Sequence, residues 1–265
     1  MAFQESARVI STEEIAHNTF QVFLNSPLIS VAVKSGQFVN ILPAPDWEMP
    51  MRRPMSVSGV DGSHLGVIFK AVGPGTDLMR DWKIGAEVDL LGPLGNAWHV
   101  SEKTPILIGG GVGIAPTWFL HNELKAQGVD HYLIMGSRTA NEHFIEHDVG
   151  KKLIMCTDDG AFGVSGNVIT GLDTIREEIE LSTVKLFVCG PAPMMEAVRE
   201  VAVGENIECE IALETVMACG FGICQGCTME YVSNGESTDS YRKKFGLVCM
   251  DGPVFNAKEI KTCYL

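Results

Sequence analysis

The clearest chemistry lies in Cys219-Gly220-Phe221-Gly222-Ile223-Cys224-Gln225-Gly226-Cys227, answered further on by Cys249. C-x4-C-x2-C with a distant fourth cysteine is the spacing that wraps a plant-type [2Fe–2S] cluster. Sulfide-bridged iron is a soft centre, and thiolates are its matching soft ligands. The backbone between them must curl and aim N–H groups at sulfur, and Gly220, Gly222 and Gly226 can take the positive φ such a curl needs. A structural zinc site and disulfides are the plainer alternatives. Zinc knuckles prefer two C-x2-C pairs, and this stretch has one.

The fourth ligand has two candidates. Between Cys227 and Cys249 lie 21 residues, a long spacer whose surplus falls in the polar stretch 233–240. Loops lengthen at little cost, so Cys249 remains the expected ligand. Its rival is Cys263, near the carboxyl terminus, where chains fray. Cys209 precedes the loop in a strand pattern and reads as packing.

The elements that must position this centre follow from the rest of the chain. With 265 residues and 46% hydrophobic content, two or three cored domains are expected, and 28 glycines with 12 prolines imply many turns. A net charge of −13 argues against a nucleic-acid partner. Residues 1–5 show no positive leader, and no apolar run approaches the ~20 residues of a membrane span. Eight cysteines in such a chain point to a reducing, cytoplasmic setting and redox or metal work.

Residues 1–100 read as an antiparallel barrel, with short strands at 7–15, 19–24, 37–42, 55–59, 64–71 and 87–91. Two places in it look chemical. In Arg52-Arg53-Pro54-Met55-Ser56, an arginine braced by proline can clamp a phosphate, with Ser56 as a second contact; taken alone it reads rather as a solvated edge arginine. Lys70-Ala71-Val72-Gly73-Pro74-Gly75-Thr76 leads into a predicted helix at 77–82 with Thr76 as its N-cap, a place for a pyrophosphate or an ordinary capped helix.

Residues 101–206 alternate strands (105–108, 132–135, 153–157, 186–189) with helices (115–127, 141–148, 172–180, 193–203), the pattern of a mainly parallel sheet that binds ligands at the carboxyl ends of its strands. Gly109-Gly110-Gly111-Val112-Gly113, followed by Pro116 in the first turn of the next helix, sits where a dinucleotide would bind. Cys189-Gly190-Pro191 ends a later strand; Cys189 reads either as a small buried residue or as a neighbour of nicotinamide. Arg138 would favour a ribose 2′-phosphate and Asp158 and Asp159 would oppose one, so the residues leave NAD and NADP both open. Residues 207–265 form the expected cluster domain: a strand and turn over 207–214, the cysteine loop, a strand over 228–232, and a basic turn at 241–244 that reads as a solvated surface or a docking handle.

These motifs resemble the ferredoxin reductase superfamily. The resemblance implies FAD held at Arg53, Pro54, Met55, Ser56, Lys70, Ala71, Val72, Gly75 and Thr76, with the turn Gly92–Asn96 beside the flavin. It implies pyridine nucleotide at Gly110, Gly111, Gly113 and Pro116, with Cys189 beside the nicotinamide. Barrel, sheet and cluster in that order are similar to the electron-transfer subunits of NAD-linked, two-subunit dihydroorotate dehydrogenases, most specifically over 217–227 and 249–255. What that implies is a route from an FMN-containing catalytic partner through [2Fe–2S] at Cys219, Cys224, Cys227 and Cys249, then FAD, to NAD, in a two-plus-two heterotetramer serving pyrimidine biosynthesis. A flavin belongs between nicotinamide, which moves two electrons, and a cluster, which moves one. The alternatives are a small subunit of an NADH-dependent ferredoxin:NADP oxidoreductase or a sulfhydrogenase, whose loops often replace a cysteine with aspartate, and a redox-inert zinc-stabilised adaptor.

Overall fold

The computed structural model describes residues 1–44, 49–232 and 240–265. The polar stretch expected over 233–240 lies, apart from Ser240, outside them. Six antiparallel strands open the chain: β1 (Phe3–Ala16), β2 (Thr19–Asn25), β3 (Phe38–Leu42), β4 (Arg53–Asp61), β5 (His64–Lys70) and β6 (Glu87–Leu94). They close into a barrel in the order β1-β2-β5-β4-β3-β6. Alternation drives closure: Val9, Val22, Leu24, Val39, Ile41, Leu65, Val67 and Leu90 are fully buried and share the interior. Helix α1 (Pro27–Ala32) covers one end, and its first N–H groups are capped at a distance by Glu5, which accepts from Leu28 N and Ile29 N at 3.1 and 3.2 Å.

Helix α2 is placed differently from expectation. It spans Pro74–Arg80, not 77–82, and Gly73 is its N-cap. Thr76 lies inside the first turn, where its hydroxyl accepts from Val72 N and Gly73 N and donates to Gly73 O. Proline at the first helical position starts the helix early, since its missing N–H needs no partner there.

The second half builds a seven-stranded sheet, β10-β9-β8-β7-β11-β12-β15. Its members are β7 (Thr104–Gly110), β8 (Tyr132–Ser137), β9 (Leu153–Thr157), β10 (Val164–Ser165), β11 (Val184–Cys189), β12 (Glu208–Ala212) and β15 (Val254–Asn256). All pairs are parallel except β12–β15. The helices are α3 (Ile114–Ala126), α4 (Val168–Asp173) and α5 (Ala192–Gly204). Outside the large sheet, β13 (Thr228–Glu230) pairs with β14 (Phe245–Leu247), and the basic run 241–244 forms the short helix α6 (Tyr241–Lys244).

Two expected helices change. Over 141–148 there is a single 3-10 turn, Ala140–Glu142, followed by irregular chain. His143 and His147 there bond sheet backbone, to Cys156 O and from Met155 N, and so satisfy polar groups that a helix would have left to water. The helix expected over 172–180 begins earlier, at Val168, because Asn167 caps it through Ile169 N and Thr170 N, and it passes into turns after Asp173.

Helix α3 is buried on nearly every side. Phe119 enters the barrel core while Leu120 and Leu124 join the core under the sheet. With apolar residues feeding two cores and Asn122 and Lys125 left to solvent, α3 packs between barrel and sheet. The opposite face of the sheet forms a core that takes in Phe38 and Leu94 from the barrel together with Cys227 and Cys249. Strands β12 and β15, from the stretch expected to carry the cluster, complete one edge of the large sheet.

Candidate functional site

Two cavities meet where barrel, sheet and cysteine loop converge. One, of ≈ 360 Å³, is walled by Pro54, Met55, Ser56, Phe69, Lys70, Val72 and Thr76 from the barrel and by Leu213, Glu214, Thr215 and Met217 from the exit of β12. The other, of ≈ 480 Å³, runs along the carboxyl ends of β7, β8 and β9 past Gly110, Gly111, Gly113, Arg138 and Asp158. Lys70, Val112 and Glu214 line both. The walls of the first fit a flavin, with an apolar face at Met55, Phe69 and Val72 and polar groups at Ser56, Lys70 and Thr76.

The remaining barrel residues singled out from the sequence stand behind this wall. Arg53 borders an adjoining opening with Thr215 and Ala218, and its guanidinium donates to Met51 O at 2.8 Å. Gly75 is packed beneath Arg53, whose Nε would lie 2.7 Å from any added Cβ. Ala71 is buried and bonded to Asn18 through both backbone groups. Asn96 of the barrel-end turn clasps Val254 in both directions, donating to its carbonyl at 2.8 Å and accepting from its N–H at 2.9 Å.

In the second cavity the glycine loop requires close approach. A Cβ at Gly113 would run into Gly190, 2.5 Å from its nitrogen, so the loop after β7 and the loop after β11 touch through bare backbone. Pro116 sits deeper, inside α3, and its carbonyl accepts from Trp98 Nε1 at 3.3 Å. Cys189 is buried, and its sulfur lies 3.8 Å from a carboxylate oxygen of Glu214. It is Glu214 that reaches into both cavities. Surrounding protein pushes the Glu214 carboxyl above its ordinary value, against the Cys189 thiol that bonds it. Sequence reading missed Glu214; its only signal was its place just past a sheet strand and five residues before the first clustered cysteine.

Glu142 closes the charged end of the same cleft. Its Oε1 accepts from Lys70 Nζ at 2.6 Å and from Arg138 Nη2 at 3.3 Å, and its Oε2 accepts from Arg138 N at 3.1 Å. Burial raises the carboxyl, but these donors prevail and hold it below the usual range.

The loop after β12 carries the cysteines. Gly220 has φ +74° and Gly222 φ +86°, whereas the third positive φ belongs to Gln225 (56°) and not to Gly226. The curl is completed one residue early, which leaves Gly226 N–H free to point at Cys224 Sγ, 3.4 Å away. Cys224 N–H likewise points at Cys219 Sγ at 3.4 Å, and Cys249 N–H at Cys227 Sγ at 3.5 Å. Burial opposes ionisation of Cys219, yet the N–H groups of Cys224, Phe221 and Ile223 outweigh it and bring the thiol down to about 6. Cys227 and Cys249 are buried with their sulfurs 3.2 Å apart. Four thiols with N–H groups trained on three of the sulfurs form a donor set that fits a two-iron, two-sulfide cluster. Cys263 is elsewhere: it does not fray but is fully buried, its N–H bonded to Glu196 of α5 at 2.7 Å. Among the described residues no helix is long and apolar enough to cross a membrane.

Known proteins resemble the chain at three levels. Residues 214–261 match the family model described as the iron-sulfur cluster binding domain of dihydroorotate dehydrogenase B. A curated relative from Fusobacterium nucleatum subsp. nucleatum, "Dihydroorotate dehydrogenase B (NAD(+)), electron transfer subunit", is 34% identical over 97% of this chain and 98% of its own. One of the same name from Bacillus velezensis is 35% identical over 95% and 96%. Among solved structures, the NADH-dependent reduced ferredoxin-NADP oxidoreductase superposes with a TM-score of 0.82 at 25% identity, over 99% of this chain and 92% of that one. A ferredoxin NADP+ reductase from Neisseria gonorrhoeae shares the fold, with a TM-score of 0.62 at 16% identity over 76% of this chain and 91% of that one.

Proposed function

The chain belongs to the electron-transfer subunits of dihydroorotate dehydrogenase B (NAD(+)), and from that membership we propose how its residues divide the work. It is an oxidoreductase component that carries electrons from dihydroorotate oxidation, at a catalytic partner subunit, to NAD⁺ by way of a [2Fe–2S] cluster and FAD. When bound, FAD exchanges two electrons with nicotinamide and one at a time with the cluster. We read residues 1–100 as the flavin part, 101–206 as the nucleotide part and 207–265 as the cluster part.

One observation carries the assignment. The segment leaving β12 lines the flavin cavity through Leu213, Glu214, Thr215 and Met217, and two residues later it becomes the first clustered cysteine. Cys219, Cys224, Cys227 and Cys249 hold the cluster in this reading, and Asn40 and Asn96 of the barrel anchor its loop and the segment after it. Met55, Ser56, Lys70 and Thr76 hold the flavin, with Arg53 braced over Gly75 to meet its phosphates. Gly110, Gly111 and Gly113 admit the dinucleotide, and Cys189 positions Glu214 where the two cavities join. The catalytic partner carries FMN and binds two-plus-two, and the eight free thiols fit the reducing cytoplasm.

Anaerobic titration of the purified chain with NADH tests the scheme. Flavin and cluster absorbance should bleach together, while dihydroorotate alone should leave the spectrum unchanged. A spectrum that NADH does not alter, or one bleached by dihydroorotate without a partner, would sink it.

A further inference from the structure

Three apolar side chains belong at once to the flavin cavity and to the core that holds two of the cluster thiols. Strand β3 turns Val39 and Ile41 into the barrel core and presents Phe38 and Asn40 on its other face, as alternation along a strand requires. Phe38 lines the flavin cavity and joins the core that contains Cys227 and Cys249. Leu213 does the same from the exit of β12. Met217 is the third: it lines the flavin cavity and the adjoining opening beside Arg53, packs against that core, and precedes Cys219 by two residues. Phe38 and Leu213 are buried, one within a strand and the other bonded through its N–H to Pro253 O at 2.8 Å. Met217 is half-buried on irregular chain, so its side chain alone sets how well the third place is filled. Its neighbour Val216 is 87% exposed and stands outside the core.

We propose that Met217 is a positioning residue for the passage of electrons between flavin and cluster, its side chain keeping the two sites joined by atoms in contact. The inference rests on reading the first cavity as the flavin site and the four thiols as the cluster site. An unbranched thioether fills an irregular gap that a stiffer side chain would leave open. An electron crosses touching atoms far more readily than a void, so close packing here serves transfer as well as stability. One electron leaves the reduced flavin and enters the oxidised cluster, and no bond in the Met217 side chain is made or broken.

The test uses the full-length chain loaded with FAD and cluster, mixed rapidly with NADH without oxygen while flavin and cluster absorbance are followed separately. The lag of cluster bleaching behind flavin bleaching reads the internal step. Met217→Leu, close in volume, should keep that lag within about twofold of the unaltered chain. Met217→Ala leaves a cavity and should lengthen it severalfold. Met217→Val removes less, should fall between them, and carries the comparison where the alanine variant does not retain both centres. Val216→Ala should leave the lag as it was. Midpoint potentials and the electron paramagnetic resonance spectrum of the reduced cluster should match across the series, since the ligands and the driving force are untouched. An unchanged lag in Met217→Ala, an equal lengthening in Val216→Ala, or a lengthening explained by shifted potentials overturns the inference while leaving flavin and cluster in place. An unaltered chain whose cluster never bleaches after its flavin removes the underlying reading and the inference with it.

Discussion

The side-chain amide of Asn40, on barrel strand β3, donates to the carbonyl oxygen of Cys219 at 2.8 Å, across a sequence separation of 179. Asn40 is almost fully buried, and the part-buried bond ties the half-exposed first clustered cysteine to the barrel. Replacing Asn40 with Ala strands that carbonyl and should cost about 1–3 kcal/mol. Denaturant midpoints should fall accordingly, and visible absorbance from the cluster should decay faster in air while FAD is retained. A decay rate equal to that of the unaltered protein would refute the anchoring role.

The curl of the loop makes opposite demands on its first and last glycines. Gly220 sits at φ +74°, and a Cβ there would collide with the Asn40 side chain, whose Cγ would lie 2.9 Å away. Gly226 is not at positive φ, and an added Cβ meets nothing closer than Cys224 Sγ at 3.6 Å. Gly220→Ala should therefore lose most iron and acid-labile sulfide, while Gly226→Ala keeps both near the level of the unaltered chain. Iron and sulfide assays on freshly reconstituted protein decide between them, and equal losses would disprove the asymmetry.

Two late cysteines separate in the same assay. Cys249 lies 3.2 Å from Cys227, whereas Cys263 packs against Glu196 and is pushed up to about 12, chiefly by burial. Cys249→Ser should abolish the cluster spectrum. Cys263→Ser should keep the spectrum and lower stability by about 1 kcal/mol. Reversed outcomes would move the fourth ligand.

A pH dependence follows from His121, stacked on Trp118 and 2.8 Å from His131. Burial, then the charges of His131 and Lys125, lower its pKa to about 4, from an ordinary 6.5. The unfolded chain then binds more protons between those values. The stabilising contribution is thus complete above pH 6.5 and is lost as pH falls towards 4, by on the order of 1–3 kcal/mol after screening. Denaturation midpoints of His121→Gln should fall less steeply across that window, and parallel slopes would count against the assignment.

Patterns set by near neighbours were legible in the sequence. The cysteine spacing, the barrel strands and the parallel strands around the glycine loop each depend on residues a few positions apart. The helix expected over 141–148 failed because His143 and His147 bond sheet backbone, a competition that no local propensity registers. Glu142 and Glu214 escaped notice because a single carboxylate has no periodicity; their importance lies in what stands opposite.

The sequence by itself determined the kind of chemistry: thiolates at cluster spacing, glycines between a strand and a helix where backbone must come close, and an order of parts that puts a two-electron acceptor beside a one-electron carrier. Only the tertiary structure decided the wiring. Packing α3 between barrel and sheet, and β12 and β15 into that sheet, brings residues from the first and last thirds within hydrogen-bonding distance. Such contacts are made by burial acting across the whole chain, and burial is a property of the folded surface and not of any short run of residues.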